Sequence, residues 1–256
     1  MSGGDRPDIT VIDEPSDRTS TLETFFIMKL TWLSHASWLI EFGSLRVLLD
    51  PFFTDNPAAQ VQADDLEDVT HVLVSHGHFD HVADVGSIAK RCGASVIANF
   101  ETALWVGKQG VDDTVGMNIG GTTTLTAGDD SLAAKMVPAI HSSGLPDGSY
   151  GGTAAGFVLT ADQRRIYFAC DTAFFGDMTF YAEGVDVAVL PIGDLFTMGV
   201  DDCVAAIKLI QPKIVLPTHY NTWPPIAQDA DAWAKRVIAE TGSEARVLKV
   251  GEAFEV

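Results

Sequence analysis

From Met28 onward, short hydrophobic runs alternate with turn residues, and this pattern predicts a series of β-strands. The first three runs predict strands: MKLTWL, SWLIEFG and SLRVLLDP. Gly43-Ser44, between the second run and the third, is typical of a tight turn, so we expect the chain to open with antiparallel strands. Asp50-Pro51 is expected to end the third strand.

Further along the chain, predicted strands alternate with segments of helical spacing. DVTHVLVSHGH predicts a buried strand that continues into a polar loop, and VADVGSIAKRCG predicts a helix that ends at Gly93. SVIANF and TALWVGKQG repeat the order of strand and then helix, and VDDCVAAIKLIQP has helical spacing. Later strands are predicted for TTTLTAG, SLAAKMVPAIH, GTAAGFVLTADQRRIYFACD, VDVAVLPIGD and KIVLPTHY. We therefore predict an α/β protein built as a four-layer αββα sandwich, with two packed mixed sheets and helices on both outer faces.

Residues 1–27 differ from the rest of the chain. They hold six acidic residues against two basic ones, with no sustained hydrophobic period, and they predict an extended N-terminal arm. Residues 28–256 contain no repeat, linker or low-complexity tract, and the economical interpretation is one domain.

Composition narrows the classes of function. Lys and Arg total 16 against 35 Asp and Glu, for a net charge of −19, which disfavours a nucleic-acid partner because phosphates bind basic side chains. The sequence has neither a secretory signal nor an apolar run near the ~20 residues of a membrane helix, so no membrane association is expected. The three cysteines are widely spaced, which argues against a disulfide framework and predicts a cytoplasmic protein.

The segment SHGHFDH at residues 75–81 concentrates three of the seven histidines directly after a predicted strand. Imidazole nitrogen and carboxylate oxygen are ligands for zinc, iron or manganese, and a two-metal site needs about six or more of them. Gly77 allows the backbone to turn between the first two histidines without a Cβ clash. This density of ligands predicts a metal site.

The segment matches the H-x-H-x-D-H signature of the metallo-β-lactamase superfamily, which this chain resembles over residues 28–256. The rest of that pattern follows in order, each residue closing a predicted strand: His141, Asp171 and His219. The resemblance implies two divalent metal ions, zinc first, with manganese or iron as alternatives. It implies that one ion is bound by His76, His78 and His141, that the other is bound by Asp80, His81 and His219, and that Asp171 bridges both.

The chain also resembles an uncharacterised family of metal-dependent hydrolases related to the L-ascorbate-6-phosphate lactonases. That resemblance rests on SHASWLIEF, LLDPF, PIGDLFTMG and THYNTWPPI. The metal site predicts hydrolysis of a small-molecule ester, lactone or phosphoester by a hydroxide held between two metals. Asp80 is the predicted catalytic residue, which orients the hydroxide or passes a proton to the leaving group.

Five more residues are candidates for orienting ligands or contacting substrate: His35, Asp50, Asp194, Tyr220 and Asn221. Asp50 either accepts a hydrogen bond from a ligand histidine or serves as a turn residue. His35 either lines the pocket near the metals or forms hydrogen bonds with the backbone of a turn. Asp194 binds substrate or caps its loop, and the two residues after His219 contact substrate or shape their loop. The glycine-rich segment Ser142–Gly156 is either a mobile lid or a plain connection.

Alternative functions share the predicted metal site. A nuclease or phosphodiesterase of the same fold is disfavoured by the net charge, and a secreted β-lactamase by the missing signal sequence. A flavodiiron oxidoreductase is disfavoured because those sites usually carry glutamate where this chain has His78. The non-enzyme alternative is a metal-binding structural module, which would have no open coordination position. A homo-oligomer is compatible with the sequence.

Overall fold

The strands of this computed structural model form two seven-stranded sheets within residues 27–256, the part of the chain that the structure describes. The predicted N-terminal arm therefore lies outside the described residues except for Ile27. The first sheet contains β1 (Lys29–Trp32), β2 (Trp38–Phe42), β3 (Leu45–Leu49), β4 (His71–Leu73), β5 (Ser95–Asn99), β6 (Thr114–Met117) and β14 (Ala253–Glu255). Their order is β14-β1-β2-β3-β4-β5-β6.

The second sheet contains β7 (Thr122–Ala127), β8 (Asp130–Pro138), β9 (Ala155–Ala161), β10 (Arg164–Phe168), β11 (Val187–Pro191), β12 (Ile214–Thr218) and β13 (Glu244–Ala245), in the order β13-β12-β11-β10-β9-β8-β7. Both sheets are mixed. Strands β1 to β3 and β7 to β10 pair antiparallel with their sequence neighbours, whereas β3 to β6 and β10 to β13 pair parallel.

Six α-helices lie among the described residues: α1 (Phe79–Val82), α2 (Val85–Cys92), α3 (Phe100–Lys108), α4 (Met178–Ala182), α5 (Val200–Ile210) and α6 (Ala230–Glu240). Helix α2 ends at Gly93 in the left-handed conformation, as its sequence predicts, because glycine adopts that conformation without a Cβ clash. In the part of the chain that the structure describes, no helix combines the length and apolarity that a membrane crossing requires.

Alternation along the strands of the first sheet divides the apolar side chains between two layers. Leu48 and Val72 face helices α2 and α3 on the outer side, where they pack with Ile88. Leu49 faces the second sheet and joins the core that contains Phe157, because successive strand residues point to opposite faces. Helices α4, α5 and α6 pack against the second sheet. The predicted α/β sandwich of two mixed sheets is confirmed.

Strand β6 is not predicted by the hydrophobic pattern. Its two central residues are exposed and one of them is Gly116, so the strand carries little apolar alternation. Parallel pairing with β5 specifies it instead, through contacts that local sequence does not show.

Candidate metal centre

The ends of the strands bring the seven predicted ligands together. Strands β10 and β12 both run parallel to β11, so their carboxyl ends meet at one edge of the second sheet. Asp171 follows β10 and His219 follows β12, and His76 follows β4 of the first sheet at the same place. Donor atoms of the seven residues, together with one of His35, form three overlapping groups, and within each group these atoms lie within 4.8 Å of one another.

The first group consists of His76, His78 and His141. The Nδ1 atom of His78 lies 2.9 Å from Nε2 of His76 and 3.3 Å from Nε2 of His141. Tetrahedral zinc ligands at about 2.0–2.1 Å from the ion lie about 3.3 Å apart, so this spacing suits one ion. His78 precedes α1 with extended backbone angles, and the adjacent Gly77 lies against Leu145, where a Cβ would come within 2.9 Å of a side-chain carbon.

The second group consists of Asp80, His81, His219 and His35. Asp80 Oδ2 lies 3.8 Å from Nε2 of His81 and 3.9 Å from Nε2 of His219. Asp80 and His81 reach this position from the single turn of α1, and His219 follows β12 with a left-handed φ of 54°. Strained backbone of this kind persists where the surrounding packing holds it, and it is common at functional sites.

Asp171 lies between the two groups. Its Oδ2 atom is 3.1 Å from Nε2 of His219, 3.4 Å from that of His81, 3.6 Å from that of His141 and 4.0 Å from that of His76. Burial by itself raises the pKa of Asp171, but His219 and His81 outweigh it and hold the pKa well below its usual range. One carboxylate oxygen thus faces histidines of both groups.

Buried carboxylates give the centre a negative field. Burial alone lowers the pKa of His81, but Asp171, Asp50 and Asp80 outweigh it and raise the pKa well above its usual value. The pKa of His76 is instead lowered well below its usual value, by burial and by His81. The carboxylates around His81 therefore stabilise positive charge at that position, which suits a cation beside them.

Unpartnered donor atoms also fit a metal. Among residues 27–256, the buried atoms His81 Nε2, Asp171 Oδ1 and His219 Nε2 make no well-aligned hydrogen bond, although both nitrogens lie within 3.4 Å of Asp171 Oδ2. A buried polar atom without a partner costs about 1–3 kcal/mol, and coordination to an ion removes that cost. The residues present therefore fit divalent metal ions.

Asp50 lies directly behind His81 and is fully buried. Its Oδ2 accepts hydrogen bonds from His81 Nδ1 at 2.9 Å and from the Ser75 hydroxyl at 2.6 Å, and its Oδ1 accepts from the Ser75 backbone N–H at 2.7 Å. These contacts orient the His81 ring with Nε2 toward the centre. Asp50 thus makes the contact with His81 that the orienting role predicts.

His35 is fully buried beside the second group. Its Nε2 lies 3.0 Å from Asp80 Oδ2, and its Nδ1 lies 2.8 Å from the Thr222 hydroxyl. Its ring centroid is 3.9 Å from that of His219. Burial, with a smaller contribution from His219, lowers the pKa of His35 to about 3. His35 therefore belongs to the centre, in contact with a predicted ligand.

The other three candidates lie outside the cavity that opens on the centre. Asp194 is exposed, and its Oδ1 accepts a hydrogen bond from the Leu195 backbone at 2.8 Å, which is a loop contact. Tyr220 is buried in the core and stacks on Trp32 at 5.2 Å between ring centroids. Asn221 is exposed and its side-chain oxygen accepts from a backbone N–H of its own loop. The contacts of these residues are structural.

The Ser142–Gly156 segment is tied to the protein rather than free. The Ser143 hydroxyl donates to the Gly151 carbonyl at 2.8 Å and accepts from the Gly77 backbone N–H at 3.0 Å. Asn99 donates to the same Gly151 carbonyl at 2.8 Å. These bonds clamp the segment onto the histidine loop, and Ser142 is its only residue that lines the cavity.

A cavity of about 660 Å³ opens on the centre. Five predicted ligands line it: His78, Asp80, His141, Asp171 and His219. Six other residues complete the lining: Phe79, Ser142, Leu195, Phe196, Trp223 and Pro225. None of the six is among the residues predicted individually from the sequence, although Phe79 lies between His78 and Asp80, Ser142 follows His141 at the start of the glycine-rich segment, and Trp223 lies four residues after His219.

Comparisons with known proteins show the family and the fold of this chain. Residues 45–220 match the β-lactamase superfamily domain. The UPF0173 metal-dependent hydrolase of Pyrococcus furiosus is 44% identical over 238 residues, which cover 90% of this chain and all of the relative (100%). The corresponding protein of Thermus thermophilus is 43% identical over 236 residues, with the same coverage of 90% and 100%.

A solved structure is similar throughout. Igni18, described as a novel metallo hydrolase from Ignicoccus hospitalis, superposes with a TM-score of 0.82 and 31% identity, covering 90% of this chain and 98% of that chain. The predicted resemblance is therefore confirmed at the level of family and fold. This chain belongs to the β-lactamase superfamily and, within it, to the UPF0173 family of metal-dependent hydrolases.

Proposed function

We propose that this chain hydrolyses an ester, lactone or phosphoester bond of a small molecule, using two divalent metal ions held by the seven clustered side chains. Zinc is the first candidate, with manganese and iron as alternatives, because imidazole and carboxylate ligands suit all three. The observation that carries the proposal is the position of Asp171 Oδ2, which lies 3.1–4.0 Å from the Nε2 atoms of four histidines. From this position Asp171 could help to hold ions in both groups of ligands.

The chain's part in the reaction is to hold the ligands rigidly and to leave one side accessible. When bound, two such ions supply a water of lowered pKa and polarise the scissile carbonyl or phosphoryl oxygen. Asp50 fixes the ring of His81 from behind, and Ser75 donates to the same carboxylate. The clamp from Ser143 to Gly77 holds the turn between His76 and His78. Such supporting hydrogen bonds keep catalytic groups within the narrow tolerances that the chemistry requires.

Asp80 is the side chain best placed to handle protons, because it lines the cavity and belongs to the second group. An ionised carboxylate only accepts, so His35 carries its proton on Nε2 and donates to Asp80 at 3.0 Å. His35 Nδ1 then accepts from the Thr222 hydroxyl at 2.8 Å. This chain of donors keeps Asp80 as an acceptor that orients a water or passes a proton to the leaving group.

The accessible cavity supports an enzyme over a structural metal module. Structural zinc sites are closed by four protein ligands, whereas catalytic sites keep a position open to water or substrate. Here the cavity of about 660 Å³ reaches both groups of ligands, at His78 and His141 on one side and at Asp80 and His219 on the other.

The three unpaired cysteines support a reducing compartment such as the cytoplasm.

The decisive experiment is metal analysis of protein purified without chelator, followed by a hydrolysis panel of esters, lactones, phosphodiesters and β-lactams. We expect metal-dependent turnover that a chelator abolishes and that zinc, manganese or iron restores. Less than about one equivalent of metal, with no turnover restored by any of the three ions, would refute the two-metal proposal. The panel also separates ester or lactone hydrolysis from the phosphodiesterase and β-lactamase alternatives.

A pair of histidine variants provides the matched control. His141→Gln removes a predicted ligand, whereas His71→Gln changes a half-buried histidine that lies outside the three ligand groups. We expect His141→Gln to lose metal and turnover, and His71→Gln to keep both. Asp80→Ala is expected to abolish turnover and to weaken binding of the second metal while the fold stays intact. Wild-type turnover in Asp80→Ala would mean that the proton-handling role belongs to another residue.

A further inference from the structure

The cavity over the metal centre has two chemically different parts. Its floor carries the predicted metal ligands, and its sides carry large apolar side chains. We name these sides the apolar wall, which consists of Phe79, Leu195, Phe196, Trp223 and Pro225. Three segments contribute it, namely the start of α1 and the segments that follow β11 and β12, so the wall belongs to the tertiary structure rather than to one stretch of sequence.

The aromatic half of the apolar wall is held in place from behind. The ring centroid of Phe79 lies 6.1 Å from that of Trp223, and both rings pack on the fully buried Phe52, at 5.8 Å and 5.9 Å respectively. The ring centroid of Trp223 also lies 5.0 Å from that of His35. Aromatic rings fixed by one another in this way form a rigid surface for an apolar ligand.

The other half presents apolar side chains to solvent. Leu195 is 64% exposed and Phe196 is 53% exposed, beside a cavity that leads to the ligands. Hydrogen bonds hold the loop that carries them, from the Asp194 backbone to Met198 at 3.1 Å and from the Met198 backbone to Thr172 at 3.0 Å. Exposed apolar side chains that are grouped at a cavity mark a binding surface, because a ligand removes them from water.

The cavity offers no partner for a second charged group. Of the described residues that line it, none is lysine or arginine, and Ser142 is the one polar side chain outside the predicted ligands. The chain as a whole carries a net charge of −19. A phosphate or carboxylate on the non-reacting part of a substrate would therefore find no basic side chain in this lining to receive it.

We propose that the substrate is an uncharged ester or lactone whose non-reacting part is an apolar chain or ring that packs against the apolar wall. This inference rests on the proposed hydrolase function and specifies its substrate class. It places phosphorylated and carboxylated substrates outside the preferred class, because only the metal floor can receive an anion. A volume of about 660 Å³ lies within the usual range for small-molecule sites, roughly 300–1,000 Å³.

The test measures kcat/KM of the metal-loaded full chain on 4-nitrophenyl acetate, butanoate, pentanoate, hexanoate and octanoate. The leaving group is constant, so differences report the acyl chain alone. Burial of each methylene corresponds to a gain of up to about fourfold, so we expect kcat/KM to rise along the series until the wall is covered. The monoester 4-nitrophenyl succinate, which ends in a carboxylate, is expected to react at least about tenfold more slowly than the pentanoate of similar length.

Variants of the wall connect this preference to named side chains. Phe196→Ala is expected to flatten the dependence on chain length, and Leu195→Lys is expected to raise the relative rate on the succinate monoester. Phe180→Ala is the control, because Phe180 is 81% exposed on α4 and does not line the cavity. All three side chains are largely exposed, so loss of folding is not expected to obscure the comparison.

The possible outcomes separate the two proposals. If the metal-loaded protein hydrolyses no ester, lactone or phosphoester, the proposed function fails and this inference fails with it. If it hydrolyses 4-nitrophenyl esters with no dependence on chain length, or prefers the succinate monoester or 4-nitrophenyl phosphate, the function stands and the apolar substrate class is wrong.

Discussion

Replacing Asp50 by asparagine should separate the structural role of this buried carboxylate from its role in metal binding. Asp50 accepts three hydrogen bonds, two from Ser75 and one from His81 Nδ1, at 2.6–2.9 Å. Asparagine keeps one acceptor oxygen and turns its amide N–H groups toward donors. With that oxygen in either position, at least one of the three hydrogen bonds is lost.

The expected magnitude follows from these bonds. A hydrogen bond to a charged group contributes about 1.5–3 kcal/mol, so Asp50→Asn should lower the free energy of unfolding by about 2–4 kcal/mol. The negative charge of Asp50 orients the His81 ring and makes it more basic. Asp50→Asn removes this charge. Loss of such an outer partner weakens metal affinity by about 10–100-fold, equivalent to about 1.4–2.7 kcal/mol.

Asp84 offers a matched control. It is also a buried aspartate that accepts three hydrogen bonds, from the Phe53 backbone at 2.6 Å and from the Thr54 backbone and hydroxyl at 3.0 Å and 2.6 Å. None of these donors belongs to a predicted metal ligand. Asp84→Asn should therefore lose comparable stability and keep wild-type metal affinity.

Two measurements decide the matter. Chemical denaturation of chelator-treated protein gives the free energy of unfolding, and competition with a chromophoric chelator gives the metal dissociation constant. If Asp50→Asn and Asp84→Asn lose equal stability and both keep wild-type metal affinity, Asp50 is a structural residue and its proposed contribution to metal binding is wrong.

Two further predictions concern the packing around the centre and the cysteines. Gly193→Ala should destabilise the protein by about 1–3 kcal/mol and weaken metal binding, because an added Cβ would press on the carbonyl oxygen of His219. The control is Gly176→Ala, because no atom lies within 4 Å of a Cβ added there. Equal thermal melting curves for the two variants, with and without metal, would contradict this prediction. Cys203 should resist alkylation at pH 8 until the protein unfolds, because burial raises its pKa to about 12 and leaves the thiol protonated. The partly exposed Cys92 should react first. Equal labelling of both cysteines in native protein, measured by peptide mass spectrometry, would show that the helix containing Cys203 opens readily.

Several features of this protein could be predicted from local sequence. Strand and helix periods, with a turn at Gly43 and a helix end at Gly93, predicted the α/β sandwich, because each depends on neighbouring residues alone. The histidine loop at 75–81 was visible for the same reason, since its ligands lie within a few residues of one another. The resemblance to a known superfamily supplied the distant predicted ligands, which follow strands whose carboxyl ends meet at one edge of the molecule.

Only the tertiary structure determined what surrounds those ligands. His35 contacts Thr222 across 187 positions of sequence, and this pairing has no local signal. Tyr220 adjoins His219 in sequence but packs into the core, because adjacent residues at a strand end point in different directions. The apolar wall likewise depends on the start of α1 and on the segments after β11 and β12, which long-range packing of the sheets brings together. The period of hydrophobic residues in the sequence shows which face of a helix or strand is buried. The residues that face the substrate instead depend on which segments become neighbours when the chain folds.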